Sequence, residues 1–421
     1  MYLSPYHLFL ICLLSATLIS PAAADDNGFK GGHLQYRFLV NTFADDSVLN
    51  DFIDSPAIDQ NGDARLLFDW RKDKVSLVAD YQLLALYGDS FTLADNFPGS
   101  ALIPTPVPND DNRLFNLSDT LSETNNSALV QRLDRLYLGY SGDKTVLRFG
   151  RQALSWGNGL IYTPMDFINP FDPSAVNKEY KTGDDMFYGQ YLQNNGNDVQ
   201  AAWVIRRDTE GNVSSDVDSI ALKYHGFIGN KEYDLLLAQH YNDSVVGIGG
   251  ITDIGTAIWR GDITFTNTQT DTITSLATSL SYSWTAWDHN ISGILEYFYN
   301  GFGISDGNYS PTALADKPEL VERLQRGELF TLGRNYIVAS AMVEISPLWL
   351  LTPNVFVNIN DPSFLVQLVS TYDLKQNVQL LAAVGAPVGA SGTEYGGIDS
   401  GIAGKPLSTE FNLFAQLAWY F

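Results

Sequence analysis

The sequence predicts an all-β fold, a transmembrane antiparallel β-barrel of about 18 strands, on three observations. Apolar and polar residues alternate with a period of two through most of the chain. The connections between the alternating segments are short and long by turns. The last segment ends on Phe421 with apolar side chains at every second position before it. A strand with hydrocarbon on one side and a wet lumen on the other requires this pattern.

The N-terminus reads as a leader. Residues 8–19 are an apolar run, followed by Ser20-Pro21 and then Ala22-Ala23-Ala24, the small-residue pattern that a signal peptidase cuts. Cleavage is expected after Ala24, although residues 1–7 carry no Lys or Arg. The expected organisation is a signal peptide over 1–24 and one barrel domain over 25–421. Cys12, the single cysteine, lies inside the leader. Disulfides, cysteine-ligated zinc and a thiol nucleophile are therefore excluded from the mature chain. No run of about 18 apolar residues follows the leader, which excludes helical spans.

The strand pattern is clearest at the end. Phe411, Leu413, Ala415, Leu417, Trp419 and Phe421 fall on one face, and Asn412, Phe414, Gln416, Ala418 and Tyr420 on the other. Upstream, Leu66, Phe68 and Trp70 alternate with Arg65, Asp69 and Arg71. Leu77, Ala79, Tyr81 and Leu83 alternate with Ser76, Asp80 and Gln82. The same holds for Trp203 against Gln200, Phe265 against Asp262, and Trp284 against Ser283. Outward faces begin or end in Trp, Tyr or Phe, as an aromatic girdle at each interface requires.

Short connections are read at 72–74, 141–144, 194–197, 229–230, 254–255, 288–290, 346–347 and 373–375. Long ones are read at about 88–127, 152–185, 301–333 and 386–408. Short periplasmic turns and long extracellular loops are the asymmetry of outer-membrane barrels. Sixteen strands is the alternative count, if 245–266 is one long strand.

Charge narrows the function classes. With 25 Lys+Arg against 48 Asp+Glu, the net charge is −23, which argues against a nucleic-acid partner or an anionic membrane surface. In the first half, the alternation turns Arg37, Arg65, Arg71, Arg148 and Arg206 inward, with Asp69. Either Arg132 or Arg135 joins them, because the frame of 129–140 admits both. In the second half the inward residues are Ser279, Ser281, Ser283, Asn354, Asn358 and Gln367, with acidic Glu296 and Glu344; Arg260 beside Asp262 is the exception. One wall is thus expected to be basic and the other neutral to acidic. The arginines either meet solute or pair with Asp69, Asp80 and Asp134 to stiffen the barrel. His240, near Asn242 and Ser244, resembles part of a hydrolase set, but no motif around the serine supports one, so no enzyme is expected. No metal site or cofactor is expected either.

Residues 150–173 stand apart. Gly150-Arg151-Gln152 leads into Trp156-Gly157-Asn158-Gly159 and then Asn169-Pro170-Phe171-Asp172-Pro173. Prolines and glycines forbid a ladder strand, while Trp156, Ile161, Phe167, Ile168 and Phe171 are too apolar for a solvated loop. The segment is expected to fold into the lumen, placing Trp156, Asp166, Asn169 and Asp172 at a constriction with the acids facing the arginines. The alternative is a loop packed over the extracellular mouth. A short helix is expected from Pro318, with acids in its first turn.

These residues resemble proteobacterial outer-membrane channel proteins, and the Gly150-Arg151-Gln152 stretch with the basic wall resembles the alginate-export-like family. That resemblance implies an arginine-rich barrel of about 18 strands. The Trp156–Gly159 and Asn169–Pro173 pieces are also similar to barrels that work beside inner-membrane exporters, which implies an exporter partner. The resulting expectation is an outer-membrane channel for polar or charged solutes, surrounded by lipid and lipopolysaccharide. The alternative is a non-conducting barrel in an export or lipid-trafficking assembly, or a surface receptor.

Overall fold

The computed structural model describes residues 28–421, so the leader expected at 1–24 lies outside the described residues. The chain begins with β1 (Phe29–Thr42), β2 (Ala57–Lys72), β3 (Val75–Gly88), β4 (Ser118–Thr124), β5 (Ser127–Ser141) and β6 (Thr145–Gln152). Next come β7 (Asp184–Leu192), β8 (Asp198–Val204), β9 (Ser219–Ile228), β10 (Lys231–His240), β11 (Asp243–Ile254) and β12 (Ala257–Asn267). They are followed by β13 (Thr272–Ala286), β14 (His289–Tyr299), β15 (Asn335–Ser346), β16 (Trp349–Asn358), β17 (Ser363–Lys375) and β18 (Val378–Val388). A small hairpin, β19 (Ile398–Ile402) with β20 (Lys405–Leu407), precedes the last strand, β21 (Phe411–Tyr420).

Eighteen of these strands make the wall, each antiparallel to its neighbours. β1 pairs with β21 from His33↔Tyr420 to Thr42↔Phe411, and that seam closes the barrel. Closure leaves no unpaired edge to face lipid. β4 is an addition. It lies beside the upper part of β5, with Ser118 opposite Arg132, where the shorter β6 leaves β5 unpaired.

The two faces invert the rule of soluble proteins. Leu77, Leu138, Leu147, Leu237, Leu280, Leu295 and Val366 are exposed on the outside, whereas Gln35, Asp63, Arg65, Asp262, Glu296 and Gln416 are buried on the inside. Exposed Trp70, Tyr140, Tyr191, Trp284, Trp349 and Tyr372 mark one rim, and Tyr87, Trp203, Phe265 and Phe411 the other. These are the two aromatic girdles.

The short turns expected from the sequence all lie at the rim that carries the C-terminus. Gly255, at φ +65°, turns β11 into β12, so 245–266 is a hairpin and not one long strand. The turn expected at 373–375 sits two residues later, at Gln376-Asn377, because β17 continues to Lys375. Two long connections escaped the pattern, 43–56 and 205–218. The first buries Phe43, Leu49 and Ile53, an apolar content that reads like strand. At the opposite rim the connections 241–242, 268–271 and 359–362 are short, so long and short loops do not strictly alternate. Among the described residues three α-helices decorate that rim, α1 (Ser90–Asn96), α2 (Pro311–Ala315) and α3 (Pro318–Gln325). The last begins at the expected proline.

Candidate functional site

The lumen has two arcs with different chemistry. The first runs from β21 through β1, β2, β3, β5 and β6. Arg37 donates to Asp63 (3.0 Å), Gln35 (2.8 Å) and Gln416 (3.0 Å). Arg65 is buried and donates to Asp134 at 2.7 Å, with its guanidinium 4.0 Å above the Tyr180 ring. Asp134 also accepts from Arg132 and Arg135, each at 3.0 Å. The choice between Arg132 and Arg135 thus dissolves. A β-bulge opposite Asp80 and Tyr81 inserts one residue, and the phase slip turns both arginines inward around Asp134. Arg148 differs from its neighbours: its guanidinium faces the rings of Tyr137 (5.5 Å) and Tyr188 (5.7 Å), and it forms no ion pair among the described residues.

The opposite arc, β8 to β14, uses carboxylates to hold backbone. Residues 153–183 lie inside the barrel. Asp262 accepts from the backbone N–H groups of Asn158 (2.6 Å) and Gly159 (3.1 Å), and from the Asn158 amide (2.7 Å). Glu296 accepts from three consecutive N–H groups, those of Leu160 (3.1 Å), Ile161 (3.2 Å) and Tyr162 (2.6 Å). Five orphan donors of an irregular backbone are thus satisfied by two acids, a charge-assisted arrangement. Gly159 permits the tight fold, since a Cβ there would meet the Tyr162 carbonyl at 1.9 Å.

Beyond this clamp the loop follows the wall. The Ser174 carbonyl accepts from Gln367 (2.9 Å), Asn177 donates to Gln416 (2.7 Å), and Glu179 accepts from Gln35 (2.8 Å). Arg135 then donates to the Lys181 carbonyl. The segment contacts the wall from β8 round to β5. On the β7–β10 side it buries Trp156, Met165 and Ile168 against Met186, Val204 and Leu236. Trp156 donates to Gln200 at 2.7 Å. Opposite, above the arginine arc, a vestibule of about 550 Å³ opens at the extracellular end. Leu39 and Asn41 line it, on the same face of β1 as Arg37.

Several expected site residues sit elsewhere. Arg71 is three-quarters exposed at the periplasmic rim and, among the described residues, pairs only with Asp69, two residues away on the same strand (2.6 Å). Neither lines a constriction. Asp166 is buried against Lys181 of its own loop (2.7 Å), and Asp172 accepts from Ser174, so neither faces the arginine arc. Arg206 is buried at the extracellular mouth with Asp184 (2.9 Å), and Arg260 donates to Ser281 (2.8 Å) on the far arc. Asn169, itself part of the loop, lines a polar pocket at the mouth. Arg151 points away from the lumen into Asp185 (3.0 Å) and Asp110 (2.8 Å). Glu296 was legible as an inward acid, but its role as a clamp was not.

One grouping imitates a hydrolase. Ser219 meets His240 Nδ1 at 2.8 Å, and His240 Nε2 meets Glu328 at 2.9 Å. Ser219 is buried and its Oγ also accepts from Arg206 (2.7 Å), so no substrate reaches it. The set ties the 300–334 connection to the wall. Ser244, the serine suggested by sequence, instead donates to Gln239 (2.9 Å).

No protein-family model and no curated protein matches the chain. Among solved structures, OccAB3 of Acinetobacter baumannii superposes with a TM-score of 0.52 at 9% identity, covering 93% of this chain and 98% of that one. A BenF-like porin from Pseudomonas fluorescens gives 0.52 at 9% identity, covering 93% and 97%. OpdQ of Pseudomonas aeruginosa gives 0.50 at 9% identity, again covering 93% and 97%. The fold is therefore that of an outer-membrane porin barrel. These neighbours are of a different type from the alginate-export-like one suggested by Gly150-Arg151-Gln152.

Proposed function

We propose that the chain is an outer-membrane channel through which small polar or charged solutes diffuse along the arginine arc. The observation that carries this reading is the inward face of β1. It runs from the vestibule residues Asn41 and Leu39 through Arg37, which stays partly exposed, towards the periplasmic end at His33. The loop's apolar cluster fills the β7–β10 side, whereas on the arginine side the loop makes polar contacts with Gln35, Gln416 and Arg135, and this reading runs the path there. Arg148 offers solute a cation that no carboxylate neutralises among the described residues. Fixed charge along a narrow lumen sets ion selectivity.

The outer apolar band supports residence in lipid, with lipopolysaccharide outside. The reading assigns no catalysis, cofactor or metal. The finer alginate-export reading draws support only from the arginine content of the lumen. A second reading is favoured by the loop's contacts from β8 round to β5: a barrel that conducts little and serves an export or lipid-trafficking assembly, with an exporter partner. Reconstitution into a planar bilayer under a salt gradient separates the two. A stable open current whose reversal potential moves on Arg148→Ala supports the channel. Silence from a correctly folded barrel supports the second reading.

A further inference from the structure

The vestibule of about 550 Å³ is built from two kinds of wall. One is strand. Leu39 stands directly opposite Asp59 across the β1–β2 ladder, and Asn61 stands opposite Leu86 across β2–β3. The other wall comes from connections. Leu49 of 43–56, Leu93 of α1 and Ile103 of the stretch after it line the cavity, and they share one apolar cluster with buried Phe43 and Ile53. Among the described residues no lysine or arginine lines the vestibule.

Two carboxylates do line it, and they differ in availability. Glu394 has both oxygens engaged: Oε1 accepts from the Leu332 N–H (2.8 Å), and Oε2 from Asn358 (2.6 Å) and the Tyr336 hydroxyl. Asp59 accepts from the Ser90 N–H through Oδ1 (3.0 Å), while its Oδ2 accepts no hydrogen bond among the described residues. Gly88 stands opposite Asp59 on β3, and a Cβ there would meet Asp59 Oδ1 at 2.2 Å, so the carboxylate occupies space that a side chain would take. Arg37, the cation next along the inward face of β1, is engaged with Asp63, Gln35 and Gln416. It does not answer Asp59.

We propose that the vestibule binds organic cations with an apolar body, alkyl- or arylammonium ions, with the ammonium at Asp59 and the body against Leu39, Leu49, Leu86 and Ile103. A carboxylate oxygen with no cation of its own takes a positively charged donor. Water finds few partners on the apolar walls, so a body that displaces it binds favourably. The volume falls within the roughly 300–1,000 Å³ of clefts that take small organic molecules. An anion with the same body meets two acids and no free cation. The role of the site, as the entry point for this solute class, rests on the channel reading.

Isothermal titration calorimetry on the full-length barrel in neutral detergent, corrected with protein-free micelles, tests the site. Phenethylammonium, 2-phenylethanol and phenylacetate share one body under three heads, and ethylammonium keeps the head without the body. Binding in micelles needs no conduction, so failure here leaves the channel reading standing, and a silent bilayer leaves this result standing. Phenethylammonium is expected to bind about fivefold or more tightly than each of the other three, the scale of one partly solvated ion pair or one small apolar body. Asp59→Asn keeps an acceptor for the Ser90 N–H and removes the charge; Leu39→Asn removes apolar wall. Each should weaken phenethylammonium binding by about fivefold, with heat-modifiable migration confirming a folded barrel. Lys74→Met, in an exposed pair with Asp143 at a periplasmic turn, leaves it unchanged. Absence of phenethylammonium binding, equal affinity for any of the other three probes, or unchanged affinity in either vestibule variant overturns the proposal.

Discussion

The two arcs of the lumen wall use the same residue types for opposite ends. On the β21–β6 arc, Asp134 and Asp63 are consumed by arginines of the wall itself, so the network stiffens the barrel. On the β8–β14 arc, Asp262 and Glu296 have no arginine partner among the described residues and hold the inserted loop instead. An inward charge therefore does not announce its role. What decides it is whether the nearest partner belongs to the wall or to the loop.

The sharpest test of that contrast is Asp134→Ala. It leaves Arg65, Arg132 and Arg135 without their shared carboxylate, and breaking a buried pair costs about 3–5 kcal/mol. The unfolding midpoint in urea should fall accordingly, and an unchanged midpoint would erase the contrast.

Two buried glutamates of the extracellular connections give a pH test of similar size. Burial pushes Glu394 up to about 7, against hydrogen bonds from Tyr336, the Leu332 N–H and Asn358. The folded state then holds a proton that the unfolded chain releases near 4.5. Its stabilisation is present below that value and is lost as pH rises through 7, by about 3 kcal/mol. Glu328 goes the other way: burial opposes its charge, but His240 and then Arg326 and Arg323 hold it down to about 2. Its contribution persists above about 4.5 and is lost only as pH falls towards 2. Hydrogen exchange at pH 5 and pH 8, corrected for intrinsic rates, should show the 389–410 loop less protected at pH 8. The 326–329 segment should not change through Glu328.

Glu296→Gln should act on the loop and spare the wall. Losing the charge that accepts three N–H groups costs about 2 kcal/mol locally. Exchange at Leu160, Ile161 and Tyr162 should accelerate while the unfolding free energy from the urea titration stays within about 0.5 kcal/mol. A fallen midpoint would mean that both arcs are structural. Arg148→Ala should shift the reversal potential by an amount set by roughly 1 kcal/mol per charge, without destabilising the barrel. Arg71→Ala, in an exposed pair, should change neither stability nor selectivity measurably.

These contrasts mark how far the sequence reaches. Period two assigns a face, so the strand count, the lumen arginines and the inward Glu296 were legible. It does not assign a partner. Asp166 looked available to the arginines because nothing local reveals that Lys181 returns to meet it, while Asp172 is taken by a local turn with Ser174 that period two does not read. The bulge at Asp134 was visible only as an ambiguous frame over 129–140. The clamp had a signal that went unread. Residues 157–162 offer many N–H groups and no carboxylate, while Asp262 and Glu296 stand as inward acids on the facing wall.

The central claim is a water-filled path along the arginine arc, narrowed by a loop that Asp262 and Glu296 hold in place. Single-channel conductance of the wild type beside a variant lacking residues 160–173 tests it most directly. A small, stable wild-type conductance that rises severalfold in the deletion is the predicted result. Equal conductance in the two proteins, or silence from both with the barrel intact, would contradict the claim.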